Sequence, residues 1–503
     1  MAVRDDSRVM PVRRAFANPP LALVVSLCGC LALALLCRMP FLHVPLTNDE
    51  GGYAYVARLW AGGAQLYGQA WVDRPQGLML LFRLFVAVAP ATAGLRLCAG
   101  LYVALSVLLM AVVGSQLFGR WAGLCAAALY AVFSSGPQIE GFIVDGELLA
   151  TLPTLLAVAL LLRARAGSRA GWWLYAAGVA AGCALLVKQS AIDGTALVML
   201  GAIVGGWKER RSRAWRLLVA GLGVATPLAL SAAHGLATNW TEYLDAVLLD
   251  NLRYRAFDST PGSLAGGLAV AGSYLSEESF LIVGALASII AAPARRRSLS
   301  WVPLVWLGTA TVGIVLGGLF SRHYFVQLLP PLCLLAADGL LALLCLARRR
   351  PAAGALLGLP LAALLIAVWT DGPLYVELSP ITISQRIYGW GVYTHQEELV
   401  RMIESRVPRG APFFVAYAAA PLHYLTGRPS ITRYIWRRPL GTVPGAYQAA
   451  LSAVERAEPV CIVTVQPVAQ PPGDRRMSAA MARHYSLTWT RPGVSLYCRA
   501  IRA

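Results

Sequence analysis

Blocks of roughly 17 to 24 apolar residues, separated by short charged connections, run through the first three quarters of the chain. Wound as an α-helix at about 1.5 Å per residue, such a block crosses a hydrocarbon layer ~30 Å thick. The pattern predicts about eleven transmembrane helices, at 20–38, 95–118, 121–138, 147–163, 171–187, 190–207, 214–234, 278–294, 300–320, 324–346 and 351–370. Three polar stretches are left over, 39–94, 235–277 and 371–503. Within the first, Gly77 to Ala89 is apolar but only 13 residues long and carries Arg83. It is too short to span and is expected to lie along the membrane interface.

Positive charge falls on alternate connections. Arg4, Arg8, Arg13, Arg14, Arg120, Arg163, Arg165, Arg169, Lys208, Arg210, Arg211, Arg213, Arg216, Arg295–Arg297 and Arg348–Arg350 all reach one side, nineteen in total. Such a bias marks the cytoplasmic side. The odd number of spans then puts the three long polar stretches, and the C-terminus, on the outer face of a bacterial inner membrane. The first block follows Arg13 and Arg14 as a signal peptide would. Arg38-Met39-Pro40-Phe41 offers no small-residue cleavage site, so an uncleaved helix is expected.

Composition agrees: 57% of the 503 residues are hydrophobic, 14% are charged, and the mean hydropathy is +0.60. The net charge of +18 does not point to nucleic acid, because the basic residues sit in short turns between apolar blocks. Eight of ten cysteines lie in apolar blocks, where the thiol behaves as a small hydrophobe. Only Cys461 and Cys498 lie in the polar C-terminal part, and they could pair if that part faces an oxidising compartment.

Two domains are expected: a membrane part over 1–370 and a soluble outer domain over 371–503. The second reads as a small α/β unit. Helical stretches at 396–405, around Leu422, at 447–457 and at 477–484 alternate with strand-like runs at 412–417, 460–465, 486–490 and 494–498. The last two form a hairpin around Pro492-Gly493, and the alternation suggests a mainly parallel sheet.

The first outer stretch is the richest in candidate chemistry. Thr47-Asn48-Asp49-Glu50-Gly51-Gly52-Tyr53 opens an amphipathic helix just beyond the first span. Capping would explain Asp49 and Glu50, since a helix N-terminus favours negative charge. A second reading comes from the rest of the same stretch, where Trp71-Val72-Asp73-Arg74-Pro75-Gln76-Gly77 leads into the interfacial segment.

An Asp-Glu pair after the first span, a basic residue before proline and then an interfacial helix together resemble the GT-C glycosyltransferases of the protein-O-mannosyltransferase-like family. That family includes bacterial enzymes that use polyprenyl-phosphate sugars. The likeness continues in order through Phe118-Gly119-Arg120, Val187-Lys188-Gln189-Ser190 and Asp250-Asn251-Leu252-Arg253-Tyr254. It extends to Arg322-His323-Tyr324 with Gln327-Leu328-Leu329-Pro330-Pro331, and to Leu422-His423-Tyr424-Leu425-Thr426-Gly427-Arg428. Some members carry an aromatic or proline insertion near the Arg-His-Tyr run, where this chain is tighter. The resemblance implies a GT-C-like helical membrane fold, an inverting transfer and a lipid-linked donor.

The chemistry such a reaction needs matches residues on the outer side. When a sugar leaves a lipid phosphate, the phosphate gains charge, so cations beside it stabilise the transition state more than the ground state. A carboxylate is needed to take the acceptor's proton. Asp49 is the expected base. Arg74, Lys188, Arg322, His323 and Tyr324 are the expected phosphate-side groups. Glu50, Tyr53, Glu140, Asp145 and Arg253 are expected to support the site or orient the acceptor. Asp193 is close enough to Lys188 in sequence to pair with it. The chain has no phosphate-cradling glycine loop, no metal-ligand spacing and no Ser/His/Asp signature. No cofactor is required on this reading, and a divalent cation held by carboxylates remains open. The expected partners are a polyprenyl-phosphate sugar, a glycan, lipid or protein acceptor and membrane lipids. The rivals are a lipid-linked sugar flippase and a non-catalytic assembly partner.

Overall fold

The computed structural model describes residues 21–499 apart from 168, 205–206, 208–210, 258–269, 273, 276, 292–300, 318–319, 378, 417–418 and 466–473. Several residues of the sequence reading therefore lie outside the described residues: Arg4, Arg8, Arg13, Arg14, Lys208, Arg210, Arg295–Arg297 and the end of the strand expected at 412–417.

Every expected span corresponds to a helix. They are α1 (Leu21–Leu36), α4 (Thr92–Phe118), α5 (Arg120–Phe133), α6 (Gly146–Ala166), α7 (Ala170–Val187), α8 (Asp193–Ile203), α9 (Arg213–Thr238), α12 (Ser279–Ala291), α13 (Trp301–Gly317), α14 (Leu329–Arg349) and α15 (Gly358–Val376). Seven apolar helical stretches among the described residues are long enough to cross a membrane; α5, α8, α12 and α13 are shorter. A 3-10 turn over Arg322–Leu328 leads into α14, which begins on Pro330-Pro331, where missing N–H groups cost the helix nothing. Between the apolar helices lie α2 (Asn48–Ala61), α3 (Gln76–Val88), α10 (Trp240–Leu244) and α11 (Asp250–Phe257), the last two joined by a π-helical turn at Asp245–Leu249.

Two ends of the bundle are distinguishable by what gathers there. At one, the basic turns meet: Arg165 lies over the rings of Trp207 and Trp301, and Arg216 over Trp207. At the other are α2, α3 and the starts of α6 and α14. As expected for 77–89, α3 is a separate short helix. Its start packs against the end of α7 at Gly77, where a Cβ would overlap the Leu186 backbone.

The C-terminal part begins with α16 (Pro380–Tyr388) and α17 (Gln396–Arg406), continues through β1 (Phe414–Ala416), α18 (Pro421–Thr426), α19 (Arg437–Thr442) and α20 (Ala446–Glu455), and ends with β2 (Cys461–Val465), α21 (Asp474–His484), β3 (Tyr485–Arg491) and β4 (Val494–Arg499). The strand order is β1-β2-β4-β3. The sheet is mixed: β1 and β2 are parallel, but β4 runs antiparallel to both β2 and β3. The expectation of a mainly parallel sheet fails because the β3–β4 hairpin, turning at Gly493 with φ +80°, is inserted beside β2. Cys461 and Cys498 face each other across β2 and β4 and form a disulfide.

Alternate strand residues serve two cores. Val415, Cys461 and Val463 pack with Leu399 and Ile403 of α17. Phe414, Ala416 and Ile462 pack with Leu451 and Met477 and join one continuous apolar cluster with Tyr53 and Val56 of α2 and Leu78 and Phe82 of α3. The period of two along each strand makes this possible. The domain is thus packed onto the membrane-part loops through its own sheet.

Candidate functional site

Helix α2 is positioned first. Thr47 and Glu50 form a capping box: Thr47 Oγ1 accepts from the Glu50 N–H, and Glu50 Oε2 accepts from the Thr47 N–H at 3.0 Å. The fully buried Glu50 also receives Arg96 on both oxygens, at 3.0 and 2.8 Å, and the Val144 N–H on Oε1 at 3.0 Å. Arg96 spends its remaining donors on the carbonyls of Phe41, Val44 and Pro45. Both Glu50 oxygens are thus engaged inside the fold. The role of Glu50 is to fix the entry to α2, so its place in the supporting set is structural.

Asp49, one residue earlier, is only partly buried and makes no hydrogen bond or ion pair among the described residues. It lies within electrostatic reach of Tyr53, Arg74, Tyr324, Tyr393 and Arg438. Neighbours in sequence thus point about 100° apart around the helix, one into the fold and one towards the pocket.

Arg74 sits just before α3. Its guanidinium lies 6.0 Å from the centre of the Tyr53 ring and 2.7 Å from Asp73 Oδ2. Burial works against its charge, but Tyr53, Asp49, Tyr324 and Glu147 together outweigh burial and raise its pKa. Lys188, at the end of α7, forms an ion pair with Glu147 Oε1 at 2.7 Å and lies 4.8 Å from the Tyr324 ring centre. Asp193, considered as its partner, instead accepts from Trp306 Nε1 at 2.6 Å, because it starts α8 facing α13.

Asp145 caps α6 by accepting from the Leu148 N–H at 3.1 Å. Its other oxygen has no hydrogen bond among the described residues and faces His323 Nε2 at 3.9 Å. Burial, and then Glu147, push the Asp145 pKa up. His323 Nδ1 meets Glu140 Oε2 at 2.9 Å. Donor atoms of Asp145, Glu147 and His323 all lie within 4.8 Å of one another, a hard-oxygen and imidazole set of the kind that holds divalent cations. The Lys188 ammonium competes for the same Glu147 carboxylate.

The expected residues therefore converge unevenly. Asp49, Tyr53, Arg74, Asp145, Lys188, His323 and Tyr324 gather in one charged cluster at the end of the bundle opposite the basic turns, with Glu140 joined to it through His323. Arg322 is adjacent in chain to His323, but its side chain is exposed. Arg253 pairs with Asp245 at 2.7 Å, within its own loop.

Sequence reasoning missed a second layer. Arg438 of α19 pairs with Asp73 and reaches Asp250 Oδ2 at 3.4 Å, and Thr442 donates to Asp250 Oδ1 at 2.8 Å. Gln189 and Asn251 both donate to the Asp73 carbonyl, at 3.0 and 3.1 Å. The short motifs around Asp73, Lys188-Gln189 and Asp250-Asn251 are thus stitched into one frame. The Leu422–Arg428 segment has another task. Arg58 of α2 donates to the carbonyls of His423 and Tyr424, and the Ala420 N–H donates to Asn48 Oδ1, so this segment docks the domain along α2.

A bundle of apolar helices with a charged cluster at one end, contacted there by a sheet domain, defines a polytopic membrane protein. Its fold is that of the GT-C glycosyltransferases. It is similar to ArnT from Cupriavidus metallidurans bound to undecaprenyl phosphate, with a TM-score of 0.61 and 15% identity over 96% of this chain and 99% of that one. The Archaeoglobus fulgidus oligosaccharyltransferase tethered to an acceptor peptide gives a TM-score of 0.56 and 14% identity, over 96% of this chain and 74% of that one. The mycobacterial arabinofuranosyltransferase AftD gives 0.54 and 13%, over 94% of this chain and 41% of that one. No protein-family model matches the chain, and no curated protein matches it in sequence.

Proposed function

We propose that this chain is an inverting membrane glycosyltransferase that moves a sugar from a polyprenyl-phosphate donor to an acceptor hydroxyl at the outer face of a bacterial inner membrane. The observation that carries this reading is Asp49: a carboxylate without an ion-pair partner among the described residues, beside a buried Arg74 and within the same pocket as Lys188. Support for the lipid-linked donor comes from the likeness to an enzyme solved with undecaprenyl phosphate. Support for the outer face comes from the Cys461–Cys498 disulfide, which needs an oxidising compartment, and from the basic turns at the other end of the bundle.

In the reaction, the donor phosphate lies against Arg74 and Lys188, with the Tyr324 hydroxyl and His323 on the same side. Arg322 approaches from the rim. The acceptor oxygen attacks the anomeric carbon opposite the phosphate as the bond to phosphate breaks. Its proton passes to Asp49, and polyprenyl phosphate leaves with the bonding electrons. Phosphate is a competent leaving group, so the cations supply the larger stabilisation, growing as negative charge collects on the leaving oxygen. Burial of Arg74, Lys188 and Tyr324 lowers the local dielectric and strengthens these interactions. The acceptor is a glycan, a lipid or a protein.

The test is to incubate purified protein with a panel of polyprenyl-phosphate sugars and measure release of free polyprenyl phosphate. One donor is consumed by the wild type and spared by Asp49→Asn. A protein that moves donors across vesicles without consuming any is a flippase, and that result ends the proposal.

A further inference from the structure

Arg438 belongs to the C-terminal domain, yet it reaches the carboxylate that neutralises Arg74. Asp73 Oδ2 is shared by Arg74, at 2.7 Å, and by Arg438. The same Nη2 atom of Arg438 also lies 3.4 Å from Oδ2 of the fully buried Asp250, which Thr442 holds through Oδ1. Arg438 and Thr442 are four residues apart and so share one face of α19. Two acids and two arginines form a neutral chain: Asp250, Arg438, Asp73, Arg74. The guanidinium of Arg438 is also within electrostatic reach of Asp49 and Tyr53.

Sharing a carboxylate divides its charge. If Asp73 faced Arg74 alone, the pair would be closed and nearly neutral, leaving little field for an incoming phosphate. With Arg438 drawing on the same oxygen, Arg74 retains net positive character towards the pocket. We propose that Arg438 is a positioning residue that sets the affinity of this site for the donor's phosphate by competing with Arg74 for Asp73. Docking of the C-terminal domain is thereby coupled to donor binding, since α19 carries the competing charge. The inference rests on the reading of Arg74 as a phosphate-binding cation.

Binding of undecaprenyl phosphate to the purified full chain tests both layers without relying on turnover. Arg74→Gln should lose binding; if it binds as the wild type does, the reading of Arg74 fails and this inference with it. Arg438→Gln should weaken binding about tenfold, and Arg438→Lys, which keeps the charge, should remain within about threefold of wild type. The deciding variant is Asp73→Asn in the Arg438→Gln background. Removing the acid frees Arg74 and should restore binding to within about threefold of wild type. If Arg438 only glued the domain in place, the double variant would bind no better than Arg438→Gln alone, and the proposal would be overturned. Wild-type binding by Arg438→Gln alongside lost binding by Arg74→Gln would overturn it while leaving the reading of Arg74 standing.

Discussion

The floor beneath α2 and the pocket beside it are both built from carboxylates and cations, yet they are finished differently. In the floor, Glu50 and Arg96 are each fully committed: five hydrogen bonds reach the carboxylate, and the guanidinium spends its donors on it and on three carbonyls. In the pocket, Asp49 has no partner among the described residues, Asp145 leaves one oxygen without a hydrogen bond, and Lys188, His323 and Arg74 face more than one acid each. Complete pairing fixes structure, because any departure leaves a buried charge exposed to low dielectric. Incomplete pairing leaves capacity for a charged substrate, which is where function sits. Two adjacent acids, Asp49 and Glu50, fall on opposite sides of this divide.

Substituting those two neighbours is the most direct way to break the contrast. Asp49→Asn should lower sugar transfer by roughly a thousandfold or more, in the upper range for loss of a general base. Its thermal midpoint in detergent should shift by no more than about 2 °C, since an unpaired carboxylate contributes little to folding. Glu50→Gln should do the reverse. It leaves Arg96 buried without its counter-charge, at a cost of about 3–5 kcal/mol, seen as a large drop in thermal stability. Activity per folded molecule should persist. A stable, inactive Glu50→Gln protein would place Glu50 in the chemistry and erase the distinction.

Lys188→Met should be the next largest effect, about a hundredfold on transfer through loss of one phosphate-side cation. Its stability cost should be smaller than that of Glu50→Gln, although Lys188 and Glu147 are both buried, as Arg96 and Glu50 are. The reason is redundancy: Glu147 still has His323 and Arg74 within electrostatic reach, whereas Arg96 hydrogen-bonds no second acid among the described residues. Equal destabilisation by both substitutions, in paired chemical-denaturation or thermal experiments, would show that the pocket is as rigidly specified as the floor.

Much of this layout can be read along the chain because membranes impose a strong rule. Backbone polar groups must be satisfied within each crossing segment, so spans appear as apolar blocks and their order is plain. Each block became a helix, and the pocket residues named from the ends of those blocks, Asp49, Arg74, Asp145, Lys188 and His323, do meet. What could not be read is the pairing. Arg96 lies one residue inside an apolar block, where a snorkelling arginine looks the same as a buried one. Arg438 sits beside Arg437 in a polar segment with no motif, and only the fold of the C-terminal domain brings it to Asp73. The sheet direction is not legible for a related reason: strand alternation gives faces, whereas neighbours across a sheet are set by tertiary topology.

The smallest effect bears on how the two regions are held together. Along α2, Gly51 and Gly52 turn bare backbone towards the C-terminal domain, and a Cβ on Gly52 would overlap the indole of Trp436. That indole also packs against Tyr53, with ring centres 5.7 Å apart, so the contact lies directly behind the pocket. Gly52→Ala should cost about 1–3 kcal/mol by overpacking, partly offset by the better helix propensity of alanine. Because the collision is on the domain side of α2 and Glu50 still anchors the other side, the loss should appear as a weaker grip on the domain. Limited proteolysis should then cut between the last apolar helix and the domain sooner than in the wild type. Gly63→Ala, at an exposed position of φ +98° with open space around it, is the control for backbone strain alone. If both variants are cut at the same rate, close packing against Trp436 is not what joins floor, pocket and domain.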